Sequence, residues 1–560
     1  FSSTESGQNP SYIHRLGSAP LRFETIGQVL KNTATKHPDR LALVSHSEGA
    51  QITYAETLDR ADRLASGLLN LGLTKGDRVA VWSPNYEFWF ISKLAIARAG
   101  LICVAMNPAY QLPELDYCLK KVDVKAIIIP EEFRTQKYYQ MIDTLVNLKH
   151  SNINVEDNQV NSLRNVIVYS DKKLPGAINF NELLKSSESD IAEIEKLQPY
   201  ISPDSGANIQ FTSGTTGHPK AALVSHFSLV NNGYDTGVRL EFDKHPRTVL
   251  NNMPYFHVAG IIAIMNNMIY GCKHVMPSPH YHGESTLKAI IEHKCDGIYG
   301  APSMFIDMVA KQKKLNLDLP EIHFSIVGSA ICTPKLVRDA QKYLKIKKFQ
   351  SMYGMTETVA SGFQSLTNED SSMTEQYVGN VVDNIEVKII DQNGATVPFG
   401  KPGELCIRGY CTMLGYWKDE AKTKETIDAD KWLKTGDQFI LYENGYAKIV
   451  GRLKEMIIRG GENLFPREIE DFLNTHPNIQ EAHVIGMPDE KMGEEVGAFI
   501  KLKDESKPLT KDDIKEFCKN KIAHFKIPRY VFVVKDYPQT TSGKVQKVKF
   551  LDFYANEIKS

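Results

Sequence analysis

The chain has 560 residues, of which 42% are hydrophobic and 24% are charged, and its formal net charge at pH 7 is -1. This length exceeds what one hydrophobic core can organise, so we expect several globular units with the composition of a soluble protein. The near-neutral net charge excludes an overall basic surface of the kind that binds nucleic acid. No uninterrupted apolar run reaches membrane-spanning length.

The first regular pattern follows Thr53 and predicts a helix over Tyr54 to Leu71, then a strand from Arg78 to Trp82. Helices and strands continue to alternate at 87–99, 101–105, 113–121 and 124–129. This order is typical of βαβ crossovers and a mainly parallel sheet, and the apolar strands indicate burial on both faces. A polar insertion over 150–163 is predicted to be a surface loop.

The alternation resumes in the middle of the chain and predicts a second α/β sheet. Its strands are expected at 248–253, 274–276, 297–299, 324–327 and 348–352. The segment from Asn384 to Val450 is instead strand-rich and punctuated by Gly and Pro, which predicts a small β subdomain.

The C-terminal part, from Glu455 onward, shows the order β-α-β-β-α-β. The predicted helices cover 466–474 and 511–521, and the predicted strands cover 482–486, 496–502 and 529–534. These elements are enough for an independent α+β domain of about 100 residues.

Eight cysteines occur without a C-x-x-C pair or another metal-ligand spacing, which predicts singly buried, reduced thiols of an intracellular protein. The chain begins at Phe1 with mostly polar residues, so we expect its numbering to start after a removed targeting segment. The C-terminal Ile558-Lys559-Ser560 differs from the peroxisomal S-K-L address.

A polar stretch of nine residues follows a short predicted strand at 208–211. It reads Thr212, Ser213, Gly214, Thr215, Thr216, Gly217, His218, Pro219 and Lys220. The glycines allow turns that aim successive N–H groups one way, and the hydroxyls and the lysine add donors and a positive charge, so the stretch suits a polyphosphate. A solvated loop fits the composition equally well, and the P-loop pattern is absent.

Two further polar clusters lie at the ends of predicted strands, where open α/β sheets bind ligands. Tyr353-Gly354-Met355-Thr356-Glu357 offers an aromatic face, a hydroxyl and a carboxylate suited to Mg²⁺. Gly328-Ser329-Ala330 would let a flat ring lie against the backbone. Taken singly, a helix cap and a turn explain these clusters as well.

Three more motifs follow: Trp432 to Asp437, Gly451 to Glu455, and Pro538 to Lys544. In this order and spacing the set resembles the adenylate-forming superfamily of acyl-CoA synthetases, coumarate-type ligases, beetle luciferases and adenylation domains, from about residue 25 to 550. Within it the chain is most similar to mitochondrial medium-chain acyl-CoA ligases. The supporting segments are 107–111, 403–411, 456–463 and 524–528.

The resemblance implies an N-terminal adenylation domain over 1–453, which includes the β subdomain at 384–450, and a mobile C-terminal domain over 454–560 with its hinge at Lys454. It also implies ATP, Mg²⁺ and coenzyme A acting with a carboxylic acid substrate. A mitochondrial matrix location is implied too, with the cytoplasm as the alternative.

Residue roles carry over by the same resemblance. The stretch from Thr212 to Lys220 would close over the β and γ phosphates, and Tyr353 would stack on adenine beside Gly328, Ser329 and Ala330. Thr356 would bind phosphate and Glu357 would hold Mg²⁺. Asp437 and Arg452 would bind the ribose of ATP. Lys544 would bridge the carboxylate of the acid and the α-phosphate of ATP.

For the other substrates, Gly460, Gly461 and Glu462 would line the coenzyme A channel, and His257, Val258 and Gly260 would border the acyl pocket. The nearby Ile261, Ile262, Met265 and Met268 carry no charge, which favours an aliphatic acid, although they suit the core of a buried helix equally well. Ala221 stands where family members generally have glycine.

Three alternatives remain open at this stage: a ligase for aromatic or luciferin-like acids, a carrier-protein adenylation module, and a catalytically silent nucleotide-binding relative. The chain ends soon after Lys544 without an added carrier domain, which disfavours the module. A silent relative is disfavoured by the joint presence of Lys220, Glu357, Asp437, Arg452 and Lys544.

Overall fold

The computed structural model describes most of the chain. The described residues are 9–148, 160, 162–212, 219–328, 332–452, 455–459, 462–489, 492–519, 521–522, 524–540 and 545–554. The chain folds as two compact units. The larger unit comprises 14–386 and 407–433, and the smaller unit comprises the described parts of 1–13, 387–406 and 434–560.

The β-strands are numbered in chain order. They are β1 (Tyr12–Arg15), β2 (Leu41–Ser45), β3 (Ala50–Thr53), β4 (Arg78–Trp82), β5 (Ile102–Met106), β6 (Ala126–Pro130), β7 (Asn165–Tyr169), β8 (Ile178–Asn179), β9 (Gly206–Thr212), β10 (Lys220–Ser225), β11 (Thr248–Asn251), β12 (Lys273–Met276), β13 (Gly297–Gly300), β14 (Ile322–Val327), β15 (Ile346–Tyr353), β16 (Phe363–Gln364), β17 (Asn380–Val381), β18 (Ile385–Ile390), β19 (Pro402–Gly409), β20 (Gly415–Tyr416), β21 (Leu433–Leu441), β22 (Ala447–Arg452), β23 (Ile457–Arg459), β24 (Glu462–Leu464), β25 (Ile479–Asp489), β26 (Gly493–Leu502) and β27 (Tyr530–Val533).

The α-helices are numbered in the same way. They are α1 (Ile26–Lys36), α2 (Tyr54–Asn70), α3 (Glu87–Arg98), α4 (Leu112–Lys121), α5 (Tyr138–Val146), α6 (Phe180–Leu183), α7 (Glu188–Leu197), α8 (His226–Arg239), α9 (Val258–Tyr270), α10 (Gly283–His293), α11 (Pro302–Leu315), α12 (Pro334–Leu344), α13 (Glu420–Thr426), α14 (Pro466–Leu473), α15 (Lys511–Cys518) and α16 (Phe550–Phe553). None of these helices is long and apolar enough to cross a membrane.

The first predicted sheet is an eight-stranded sheet with the order β20-β10-β9-β5-β4-β6-β7-β8. Strands β4 to β9 pair in parallel, whereas β10 pairs antiparallel with β9 and with the edge strand β20. Alternate residues of β4 enter different cores: Val79 and Val81 pack in one cluster, Ala80 and Trp82 in another. The sheet is therefore buried on both faces, as predicted.

The second predicted sheet has nine strands in the order β17-β16-β15-β14-β13-β11-β12-β2-β3. Its centre, from β15 to β2, is parallel and contains every strand predicted for it. The N-terminal strands β2 and β3 also join this sheet, and β2 pairs with β12. Local patterns do not reveal this, because β12 lies more than 200 positions further along the chain.

The predicted β-rich segment forms a five-stranded sheet in the order β1-β18-β19-β21-β22. The C-terminal sheet has the order β24-β23-β26-β25, with β27 on β26. The observed C-terminal order is β-β-α-β-β-α-β-α, which differs from the prediction by the additional short strand β24 and the additional short helix α16. The fold class, two α/β sheets with a small β subdomain and a smaller α+β part, is confirmed.

Two local predictions have different outcomes. All eight cysteines are buried as free thiols, as predicted. The predicted surface loop over 150–163 is wrong at its C-terminal end, because Val160 and Leu163 are fully buried in the cluster beneath β6 and β7. Residues 149–159 and 161 lie outside the described part of the chain.

Candidate active site

The polar clusters of the larger unit meet around the side chain of Glu357. This residue lies in a short 3-10 helix directly after β15 and is only 4% exposed. Its Oε1 accepts a hydrogen bond from the Tyr416 hydroxyl at 2.7 Å and lies 3.4 Å from the Thr212 hydroxyl, which donates to it. A buried carboxylate is thus held by two hydroxyl donors that come from distant parts of the chain.

Lys220 extends this arrangement through the same tyrosine. Its Nζ donates to the Tyr416 hydroxyl at 2.9 Å and lies 4.5 Å from the centre of the Tyr416 ring. Burial, together with the charge of Glu357, raises the pKa of Tyr416 well above its ordinary value, so this hydroxyl keeps its proton for Glu357. The Lys220–Tyr416–Glu357–Thr212 network brings together a cation, two hydroxyls and an anion from three adjacent strands of one sheet and from the 3-10 helix that follows β15 of the other.

The ends of the nine-residue stretch are fixed by strand pairing. Thr212 ends β9, Lys220 begins β10, and the two are partners in the antiparallel ladder. The intervening Ser213, Gly214, Thr215, Thr216, Gly217 and His218 lie outside the described residues. Because the ladder brings both ends together, the stretch connects two adjacent strands beside Glu357.

Ala221, the departure from the family pattern, lies in the core next to this stretch. It is 1% exposed, pairs with Phe211 and accepts a hydrogen bond from the Trp417 backbone at 2.8 Å. Its methyl group packs in the cluster on one face of the eight-stranded sheet. Compared with glycine, Ala221 therefore adds a methyl group to the core and leaves the pairing of β9 with β10 intact.

The backbone that follows Glu357 is strained. Val359 and Ala360 both adopt left-handed conformations, with φ of 52° and 79°. Such a conformation is rare for a β-branched residue, and strained residues of this kind are typical of functional sites. Gly354 packs against this turn, because a side chain on it would place a Cβ only 2.0 Å from the Ala360 carbonyl oxygen.

Part of the expected adenine site lies among the residues that the structure describes. Strands β14 and β15 are parallel neighbours, so Gly328, which follows β14, and Tyr353, the last residue of β15, lie at the same edge of the sheet. The half-buried Tyr353 ring packs edge-on against Phe363, with centroids 6.1 Å apart. Thr356 begins the 3-10 helix of Glu357. Ser329 and Ala330 lie outside the described residues.

The expected ribose carboxylate lies in the smaller unit. Asp437, on β21, is 5% exposed and pairs across the ladder with Arg452 of β22. Its backbone N–H donates to the Thr435 hydroxyl at 3.1 Å, and the neighbouring Gly436 N–H donates to Glu404 at 2.9 Å. Burial raises the pKa of Glu404. These bonds fix the turn that carries Asp437.

The residues expected around the acyl chain surround the start of α9. His257 is the N-cap residue, its ring is 4.4 Å from that of Phe256, and Val258 is 7% exposed. Gly260 lies against the preceding turn, since an added Cβ would be 2.2 Å from the Pro254 carbonyl oxygen. The neighbouring apolar side chains of α9 are at most 2% exposed and belong to the main core. They are Ile261, Ile262, Met265 and Met268.

Several expected site residues fall outside the described part of the chain: Lys454, Gly460, Gly461 and Lys544. Glu462 begins β24, where its backbone pairs with Arg459.

Sequence reasoning missed Tyr416, which has the central position in the Glu357 network. Its only signal is a tyrosine after a glycine in a two-residue edge strand, a pattern too short to single out.

Comparison with known proteins adds to this geometry. The chain matches the family model described as AMP-binding enzyme over residues 30–417, and the AMP-binding enzyme C-terminal domain over 468–544. The medium-chain acyl-CoA ligase ACSF2, mitochondrial, of Bos taurus is 41% identical, covering 96% of this chain and 89% of the relative. The putative acyl-CoA synthetase YngI of Bacillus subtilis is 36% identical, with 95% and 97% covered. The structure of ATP-bound MatB from Rhodopseudomonas palustris has a TM-score of 0.80 at 25% identity, with 95% and 99% covered.

Proposed function

Because the chain belongs to the family of AMP-binding enzymes and is an AMP-forming acyl-CoA ligase, we propose that it activates medium-chain fatty acids. The observation that carries the adenylate-forming step of this proposal is the Lys220–Tyr416–Glu357–Thr212 network of the larger unit. The name of the Bos taurus relative supports the medium-chain substrate.

The reaction proceeds in two half-reactions. A carboxylate oxygen attacks the α-phosphorus of ATP, the bond from that phosphorus to the bridging oxygen breaks, and pyrophosphate leaves. The sulfur of coenzyme A then attacks the acyl carbon, the bond from that carbon to the AMP oxygen breaks, and acyl-CoA and AMP result. In-line displacement at phosphorus depends on positioning and charge stabilisation, which a lysine, hydroxyls and a metal supply.

Within this scheme Lys220 and Thr212 would bind the phosphates that leave as pyrophosphate, together with the intervening stretch. Thr356 would donate to phosphate, and Tyr353 with Gly328, Ser329, Ala330 and Gly354 would receive adenine. Glu357 fits a Mg²⁺ ligand, because it is a buried carboxylate oriented by two hydroxyls. Bound Mg²⁺ would neutralise phosphate charge.

The remaining assignments rest on the family motifs. Asp437 and Arg452 would bind the ribose, and Asp437 is buried on a turn fixed by Glu404. His257, Val258 and Gly260 would border the acyl chain near the carboxylate. Residues 454–560 would move as a domain about Lys454, which would bring Gly460, Gly461 and Glu462 to the pantetheine arm of coenzyme A.

Substrate choice is tested by the rate of AMP formation with ATP, Mg²⁺ and coenzyme A. The acids should form a series from butanoate to palmitate, together with benzoate and coumarate. We expect the highest kcat/KM in the middle of the aliphatic series. A preference for the aromatic acids would contradict the fatty-acid assignment, and no turnover with any acid would indicate a catalytically silent relative.

Replacing Tyr416 with phenylalanine tests the network. The change removes the donor to Glu357 and the acceptor of Lys220, and hydrogen bonds to charged groups contribute about 1.5–3 kcal/mol, so kcat/KM for ATP should fall by about 10- to 100-fold. Tyr281→Phe is the matched control, because Tyr281 also donates to a carboxylate, that of Asp307, at 2.9 Å. Equal losses in the two variants would show that the effect is one of general stability.

A mitochondrial location is proposed from the name of the Bos taurus relative. The Bacillus subtilis relative shows that similar chains also occur in a bacterium. Fractionation of cells that express the native gene should place the protein with matrix markers. Recovery with cytosolic markers alone would contradict the proposal.

A further inference from the structure

A cluster of two histidines and a glutamate lies in the larger unit, among residues to which the proposed reaction assigns no role. It consists of His46, in the turn after β2, and Glu292 with His293 at the end of α10. His46 Nδ1 lies 3.1 Å from His293 Nε2. The Glu292 carboxylate oxygens lie 3.5 Å from His46 Nδ1 and 3.6 Å from His293 Nε2.

These three separations match the edges of a metal coordination sphere. Two ligand atoms that are each about 2.1 Å from a tetrahedral zinc ion lie about 3.4 Å apart. Each pair of groups is therefore close to the spacing that one such ion requires, with His46 facing Oε2 and His293 facing Oε1 of Glu292. The ion would replace the proton that the two imidazoles share in their hydrogen bond. We infer that His46, Glu292 and His293 form a binding site for a divalent transition metal of the zinc class, with the fourth position open to water.

The surroundings favour a cation at this place. The cluster lies at the C-terminal end of α10, where the helix dipole stabilises positive charge. Glu292 supplies the anionic ligand, and imidazole nitrogen is a preferred zinc donor. The nearby Lys273 ammonium, which donates to the backbone carbonyl of His293 at 3.3 Å, opposes a cation, and the Glu292 carboxylate offsets its charge.

Burial indicates that the two histidines are positioned before an ion binds. The His46 and His293 side chains are 18% and 9% exposed, whereas Glu292 is 61% exposed. The backbone N–H of His46 donates to the Met276 carbonyl oxygen at 2.9 Å, which fixes the turn after β2. The two imidazoles are therefore already positioned, and the exposed Glu292 carboxylate can change its side-chain conformation to reach an ion.

Such a metal would link segments that are 247 positions apart in sequence. It would tie the turn after β2 to the end of α10 and stabilise the folded state by binding to that state alone. The proposed role is structural, and it is independent of the ligase reaction.

The test uses the full chain, freed of metal with a chelator and titrated with Zn²⁺ by calorimetry. Co²⁺ serves as a second probe, because its visible absorption reports tetrahedral coordination. We expect one tight site per chain, a higher thermal unfolding midpoint with Zn²⁺, and unchanged ligase activity. His46→Ala and Glu292→Gln should each weaken binding by at least about 100-fold, given that even groups outside the coordination sphere change metal affinity by about 10- to 100-fold.

Two matched variants control for adventitious binding: Glu284→Gln, at the other end of α10, and His245→Ala, an exposed histidine. Both should bind Zn²⁺ like the wild type. Glu292 is largely exposed, so Glu292→Gln keeps the test valid even if His46→Ala misfolds. Equal binding by Glu292→Gln and the wild type, or no stoichiometric site at all, would overturn the inference. Absence of ligase activity in the wild type, together with intact Zn²⁺ binding, would count against the proposed function alone.

Discussion

Replacing Lys544 with alanine is expected to abolish formation of the acyl-adenylate while sparing its conversion to acyl-CoA. The lysine would bridge the carboxylate and the α-phosphate, where negative charge is brought together as the new bond forms. Loss of one such stabilising group typically lowers a rate by about 100- to 1,000-fold. The two half-reactions should be measured separately, as pyrophosphate release from ATP and acid, and as acyl-CoA formation from supplied acyl-adenylate.

The matched control is Lys507→Ala, which removes an exposed lysine of the same C-terminal part that pairs with the nearby Asp504. It should leave both half-reactions unchanged. If Lys544→Ala slows both half-reactions equally, the assignment of Lys544 to the first step alone is wrong. The proposed movement about Lys454 would then lose its main support.

Replacing Glu357 with glutamine is expected to have the second-largest effect. Glutamine keeps an oxygen that can accept from Tyr416 and Thr212, but it removes the charge that would hold Mg²⁺. The rate of adenylate formation should fall by about 100-fold or more, as expected when an electrostatic group is lost from the reacting centre. The Mg²⁺ concentration needed for half-maximal rate should rise.

The control for this change is Glu321→Gln, which alters an exposed glutamate of the same unit. Thermal unfolding of both variants should resemble that of the wild type, because neither change removes a large buried group. If Glu357→Gln retains the wild-type rate and the wild-type dependence on Mg²⁺, Glu357 does not hold the metal. The network around Tyr416 would then have a positioning role only.

Most of the fold could be predicted because its strands carry local signals. The strand from Arg78 to Trp82 was predicted with its observed bounds, since a Lys-Gly-Asp turn precedes a short apolar run. The helix that follows Thr53 begins where predicted, with a capping box between Thr53 and Glu56. Strands β10 and β20 were missed, because one begins inside a polar motif and the other has two residues.

The candidate site was less predictable than the fold. Thr212, Lys220 and Glu357 stand in recognisable motifs, and the structure brings them together through hydrogen bonds. Tyr416 could not be found, because its importance comes from tertiary contacts with residues 59 and 196 positions away. The acyl residues of α9 stay a prediction, since an apolar helix has the same pattern whether it borders a ligand or the core.

The most direct test of the central claim follows one oxygen atom through the reaction. The protein is incubated with ATP, Mg²⁺, coenzyme A and a medium-chain acid whose carboxylate carries oxygen-18, and the products are analysed by mass spectrometry. Attack of that carboxylate on the α-phosphorus predicts that one labelled oxygen appears in AMP, with pyrophosphate unlabelled. Label in inorganic phosphate together with ADP, or unlabelled AMP beside labelled acyl-CoA, would contradict the acyl-adenylate route.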